Sequence, residues 1–137
     1  MPPHLLHKEV NIMASQFDVK LVTLPLGAFD GATELPLVYL PAGGGGITVL
    51  SAYLEGGGAG TVIGGELITM TAAGTPAIAG TIGAFAGTVV AAAGVPAALT
   101  ISSAFVDDGQ WIGFDQTSGT VLAGSFISLA YVTGKAA

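Results

Sequence analysis

From Phe17 to the C-terminus, short runs rich in Val, Ile, Leu, Thr and aromatic residues are separated by clusters of Gly, Pro and Asp. Runs of strand length between turn-forming clusters leave little room for long helices and predict a sheet protein. Phe17 to Leu24 alternates apolar and polar at its start, as a half-buried strand does. Pro25 and Gly27 to Gly31 then form a turn. Glu34 to Leu40 is a second run, in which Pro36 implies an edge or irregular strand because its nitrogen cannot donate to a ladder. Pro41 and Gly43 to Gly46 connect it to a third strand, Ile47 to Glu55, with Ile47, Val49, Ser51 and Tyr53 expected on one face. Gly56 to Gly60 is a loop. Thr61 to Thr71 reads as the fourth strand, with a bulge at Gly64-Gly65.

The middle of the chain allows two readings. Ile78, Ile82, Phe85 and Val89 fall at helical spacing, Thr75 is placed to cap, and Pro76 suits a first helical turn. Against a helix stand Gly80, Gly83 and Gly87, each costing about 1 kcal/mol relative to Ala. Two glycine-interrupted strands within Ala77 to Val95 are therefore the favoured reading. Further on, Ala98 to Val106 is a strand and Asp107-Asp108-Gly109 a turn. Gln110 to Asp115 is expected to pair back as a hairpin. Ser118-Gly119 and Ala123-Gly124 punctuate the next stretch, and Ser125 to Thr133 closes the fold. The sum is an all-β domain of about eight antiparallel strands, arranged as one β-sandwich.

Length and charge narrow the function. A chain of 137 residues is one domain. Lys8, Lys20 and Lys135 are its cations and there is no Arg. Nucleic-acid binding needs several phosphate-neutralising cations, so it is not expected, and anionic membrane surfaces are disfavoured for the same reason. Charged residues are 9% of the chain, against roughly a quarter in an ordinary soluble domain. That poverty implies a surface covered by partner subunits. Leu67 to Val106 carries no charge and exceeds the about 20 residues of a membrane helix. Yet neither flanking Lys or Arg nor an aromatic belt frames it, so a span is the weaker reading.

Residues 1–12 (MPPHLLHKEVNI) differ in texture from the rest and read as a flexible or mis-assigned leader before a domain covering 13–137. Met13-Ala14-Ser15 resembles a bacterial start, and no apolar stretch of signal-peptide type follows Met1.

Catalytic chemistry finds little to use. His4 and His7 both lie in the leader, so the domain lacks the base that a serine nucleophile requires. Zero Cys removes thiolate chemistry and disulfides. Gly43 to Gly46 and Gly56 to Gly58 are not phosphate loops, since no Lys-Ser/Thr pair follows them. Asp107, Asp108 and Asp115 are oxygen donors that could gather around calcium, but without an EF-hand spacing the turn reading is preferred. No cofactor and no metal is expected, nor catalysis. Trp111 is the one residue singled out, either as a sugar-stacking platform or as packing beside Phe114 and Tyr131.

Gly109-Gln110-Trp111-Ile112-Gly113-Phe114, then Ser118-Gly119-Thr120 and Gly124-Ser125-Phe126-Ile127-Ser128-Leu129-Ala130-Tyr131-Val132, resembles the C-terminal hairpins of small phage virion proteins. The resemblance covers the last third of the chain. It implies a jelly-roll-like sandwich acting as a capsid decoration or minor structural protein, a trimer docked through the major capsid protein on the capsid exterior. The alternative is a receptor- or carbohydrate-binding β-sandwich module of a tail fibre or cell surface, with Trp111 and loop carboxylates in its site.

Overall fold

The computed structural model describes residues 18–27, 29–30, 33–58 and 60–135. The leader and Phe17 lie outside them. Ten strands and no helix occur among the described residues: β1 Lys20–Pro25, β2 Phe29–Asp30, β3 Thr33–Tyr39, β4 Ile47–Glu55, β5 Thr61–Thr71, β6 Ile78–Ala91, β7 Ala97–Ile101, β8 Phe105–Val106, β9 Gln110–Val121 and β10 Phe126–Thr133. Every ladder between them is antiparallel.

The pairing path is β1-β10-β4-β7-β6-β5-β9-β2, with β3 also on β9 and β8 also on β4. Since β2 and β3 share one partner, and β7 and β8 another, they count as two broken strands. The ten pieces then become eight strands, in sheets ordered 1-8-3-6 and 2-7-4-5. That is the order of a jelly roll. The expected all-β, jelly-roll-like sandwich of about eight antiparallel strands is therefore the fold. The sheets join along one side, where β6 pairs β7 through Gly83↔Ile101 and Ala84↔Thr100. On the other side β1 and β3 face each other without a ladder. An apolar gap of about 100 Å³ remains there, lined by Val22 and Leu24 from one sheet and Val38 and Ile112 from the other.

The core fills the space between the sheets. Leu54, Ile63, Leu67, Phe114 and Ile127 are fully buried, and Phe85 meets Phe114 edge-on with ring centroids 6.4 Å apart. Each fully buried large side chain of this kind contributes about 1.5–3 kcal/mol. Gly65 makes this packing possible, because a Cβ there would collide with the Phe114 ring.

Several sequence expectations need correction. Neither a helix nor two strands spans 77–95: β6 is one strand of 14 residues. Its glycines are absorbed by register slips against β5, since residues without side chains permit bulges. Ala98 to Val106 is not continuous: residues 102–104 break it into β7 and β8, both paired with β4. Gln110 to Asp115 does not fold back on it. β9 instead crosses to the opposite sheet, between β3 and β5. The turn before it is tied elsewhere, since Gly109 N donates to Leu40 O and Leu40 N to Gln110 O. The C-terminal runs that suggested hairpins thus lie in different sheets, with β10 between β1 and β4. Ser118-Gly119 is not a turn between strands but part of β9. Finally, Ile47 and Val49 face inward while Ser51 and Tyr53 face outward. A bulge opposite Ala130/Tyr131 leaves Leu50 as the extra residue and flips the alternation.

Candidate functional site

Antiparallel partners share a face, so each outer face of the sandwich is a set of rows crossing its strands. On the first sheet, Leu24, Leu54, Ile127 and Leu129 point into the core. Their neighbours along the strands make an outer face of three rows: Leu21–Ala130–Ser51, Thr23–Ser128–Tyr53–Ala98 and Pro25–Phe126–Glu55. No charge stands in the first two rows; the third ends on Glu55. Leu21 is 81% exposed and Tyr53 41%, and a hollow of about 230 Å³ lies between them, floored by Ser51, Ser128 and Ala130. Glu55, at the margin, is held by the amide of Gly94, which donates to its carboxylate at 2.6 Å.

The outer face of the second sheet differs in character. Ile112 and Phe114 point inward, which turns Trp111, Gly113 and Asp115 outward. Three rows cross it: Tyr39–Trp111–Met70, Pro36–Gly113–Ile68 and Glu34–Asp115–Glu66. Met70 and Ile68 are buried although they belong to this outer face. Their cover is local, for the Met70 sulfur lies 2.7 Å from where a Cβ on Gly113 would stand. Trp111 and Tyr39 form a tilted ring pair, centroids 5.5 Å apart and planes at 55°. The expected company of Phe114 and Tyr131 is not there: both belong to the interior. Trp111 is partly exposed and Tyr39 is 38% exposed, so the pair is an accessible aromatic platform.

The carboxylate row is not legible in the sequence, where the three residues are 32 and 49 positions apart. Glu34 and Glu66 are both direct register partners of Asp115, on its two sides. Like charges directly opposite one another on neighbouring strands repel. Burial, and then the charge of Glu66, push the Asp115 carboxyl above the usual carboxylate range. Glu66 gains one partner, accepting a hydrogen bond from the Thr81 hydroxyl at 3.2 Å.

A calcium site would need Asp107, Asp108 and Asp115 together, and the structure separates them. Asp108 Oδ2 accepts hydrogen bonds from the amides of Gly43 (2.8 Å) and Gly45 (3.1 Å), which fastens the glycine connection to the β8–β9 turn. Asp107 accepts from the amide of Asp108. Asp115 belongs to the acidic row. Among the described residues, no group of three or more His, Cys, Asp or Glu is placed to hold a metal ion. No helix among them is long and apolar enough to cross a membrane.

No family model and no curated protein matches the chain. The chain is similar to a protein of solved structure from work on Bacillus endospore appendages, described as a novel family of disulfide-linked pili. Identity is 18% over 85% of this chain and 89% of that one, with a TM-score of 0.34. Whereas those pili are disulfide-linked, this chain has no cysteine.

Proposed function

We propose that the protein is a non-catalytic structural subunit that works in a symmetric homo-oligomer, and that its role is to decorate or stabilise a phage capsid from outside. The observation that carries this reading is the pair of uncharged rows on the outer face of β1, β10, β4 and β7, with Leu21 and Tyr53 standing over a neutral hollow and Glu55 at the margin. A face without charge loses little on desolvation, which suits burial between copies. Symmetry then multiplies a modest contact across many subunits. Jelly rolls serve in viral shells and in lectins, so the fold admits the role without assigning it.

Size-exclusion chromatography with light scattering on the full chain, without detergent, tests the oligomer. A discrete trimer supports the reading, and co-sedimentation with undecorated capsid shells, whose surface is the major capsid protein, then tests the finer claim. A monomer at micromolar concentration overturns it.

A second reading has its own observation. The accessible Tyr39–Trp111 pair is the kind of aromatic surface on which a sugar ring stacks, as in a receptor- or carbohydrate-binding module. Glycan-array binding that Trp111→Ala abolishes would favour it over the assembly role.

A further inference from the structure

The outer face of β3, β9 and β5 has two halves. At one end is the Tyr39–Trp111 platform; at the other is the Glu34–Asp115–Glu66 row. Trp111 and Asp115 are four positions apart along β9, roughly 13 Å at the rise of an extended strand. Between them run Pro36, Gly113 and Ile68, a low saddle without charge. No lysine among the described residues neutralises the acidic half. Lys20 is paired with Asp18 at 3.0 Å, and Lys135 sits over the Phe105 ring, 5.5 Å from its centroid.

We infer that this face docks an extended, Lys- or Arg-bearing segment of a different protein, with its cations on the acidic row and an apolar side chain on the Tyr39–Trp111 pair. Charge complementarity selects this occupant. Three like charges in one row are costly when bare and are relieved by a cation. A second copy of this chain would bring its own carboxylates to the face, and both described lysines are already engaged. A single metal ion fits poorly, because the three carboxylates form a line across strands and not a cage. A neutral glycan would use the aromatic end and gain nothing from the charge. The inference rests on the assembly reading in one respect: the segment would belong to the shell on which the oligomer docks.

Trp111 is the sole tryptophan, so its emission reports on this face without a label. The experiment titrates the full chain with an end-blocked peptide of alternating Lys and Leu, and in parallel with the same peptide carrying Glu for Lys. The lysine peptide should shift Trp111 emission saturably and more weakly at high salt, while the glutamate peptide does nothing. Glu34→Gln, Asp115→Asn and Glu66→Gln combined should weaken binding by about tenfold or more. Asp18→Asn with Asp107→Asn, which removes carboxylates elsewhere, should leave it unchanged. Circular dichroism melting would show that each variant folds. Equal binding by the two sets of variants overturns the inference, as does a response to calcium or a neutral oligosaccharide but not to the lysine peptide. Oligomer without peptide binding would sink this inference alone. A monomer that binds the peptide would sink the oligomer and leave the docking face standing.

Discussion

Two residues show how far single side chains decide this molecule. Gly65 has Phe114 and the Asp115 carbonyl where a Cβ would go. Gly65→Ala should therefore destabilise by about 1–3 kcal/mol, the usual result of overpacking. Urea unfolding would measure it. Asp115 acts through charge. Its carboxyl titrates above the usual carboxylate range because of burial first and Glu66 second, so the folded state holds the proton more tightly than the unfolded chain. Stability must then fall as pH rises from the ordinary carboxylate range through the raised value. Above that window the cost is complete, and at more acid pH it disappears. Asp115→Asn should accordingly raise the melting temperature at neutral pH and lose that advantage below the carboxylate range. A benefit that persists unchanged in acid would contradict the charge argument. Glycine in a strand is legible in sequence as a bulge or a close approach, and Gly64-Gly65 is such a pair. The acidic row is not legible, because nothing local in Glu34, Glu66 or Asp115 announces the register that aligns them.

At the scale of the element, strands follow local pattern where both ends are marked. β4 and β5 run over Ile47–Glu55 and Thr61–Thr71, the bounds their flanking glycines imply. Partner choice is another matter. The Asp107-Asp108-Gly109 turn has hairpin chemistry, yet it launches β9 across to the other sheet. Its carboxylate explains the redirection, since Asp108 is bound to the amides of Gly43 and Gly45 some sixty positions away in sequence. Gln116 does a related job past the midpoint of β9. Fully buried, it donates Nε2 hydrogen bonds to Ser118 O and Gly119 O, beside the register shift that leaves Thr117 as an extra residue opposite β5. Asp108→Ala removes two charge-assisted bonds and should cost about 1–3 kcal/mol. It should also speed amide exchange at Gly43 and Gly45 while leaving the centre of β5 protected, which hydrogen exchange by NMR would show.

For the whole molecule, the jelly-roll order separates two outer faces of different character, one neutral but for Glu55 at its margin and one acidic at one end and aromatic at the other. That division makes the assembly reading testable at a single position. Leu21 is exposed at the edge of the neutral face and outside the core, so Leu21→Glu should leave the fold intact. In a homo-oligomer built on that face, it should place buried like charges near each contact and shift the light-scattering mass to monomer. An unchanged oligomer would move the interface elsewhere. β1 is also a sheet edge, being at the end of the pairing path with β10 as its ladder partner, and Lys20 and Pro25 at its two ends blunt it against uncontrolled pairing.

Composition and spacing alone determined that this chain is built of strands, that its body has no Cys or His chemistry, and that its surface is poor in charge. Those properties are local, or are sums over residues, and no neighbour in space can change them. Tertiary structure decided which strands meet. It placed Trp111 beside Tyr39 and not beside Phe114, sent β9 away from β8, and set three distant carboxylates in one row. Register between strands depends on bulges and on buried contacts far apart in sequence, and one slipped residue exchanges the inner face for the outer.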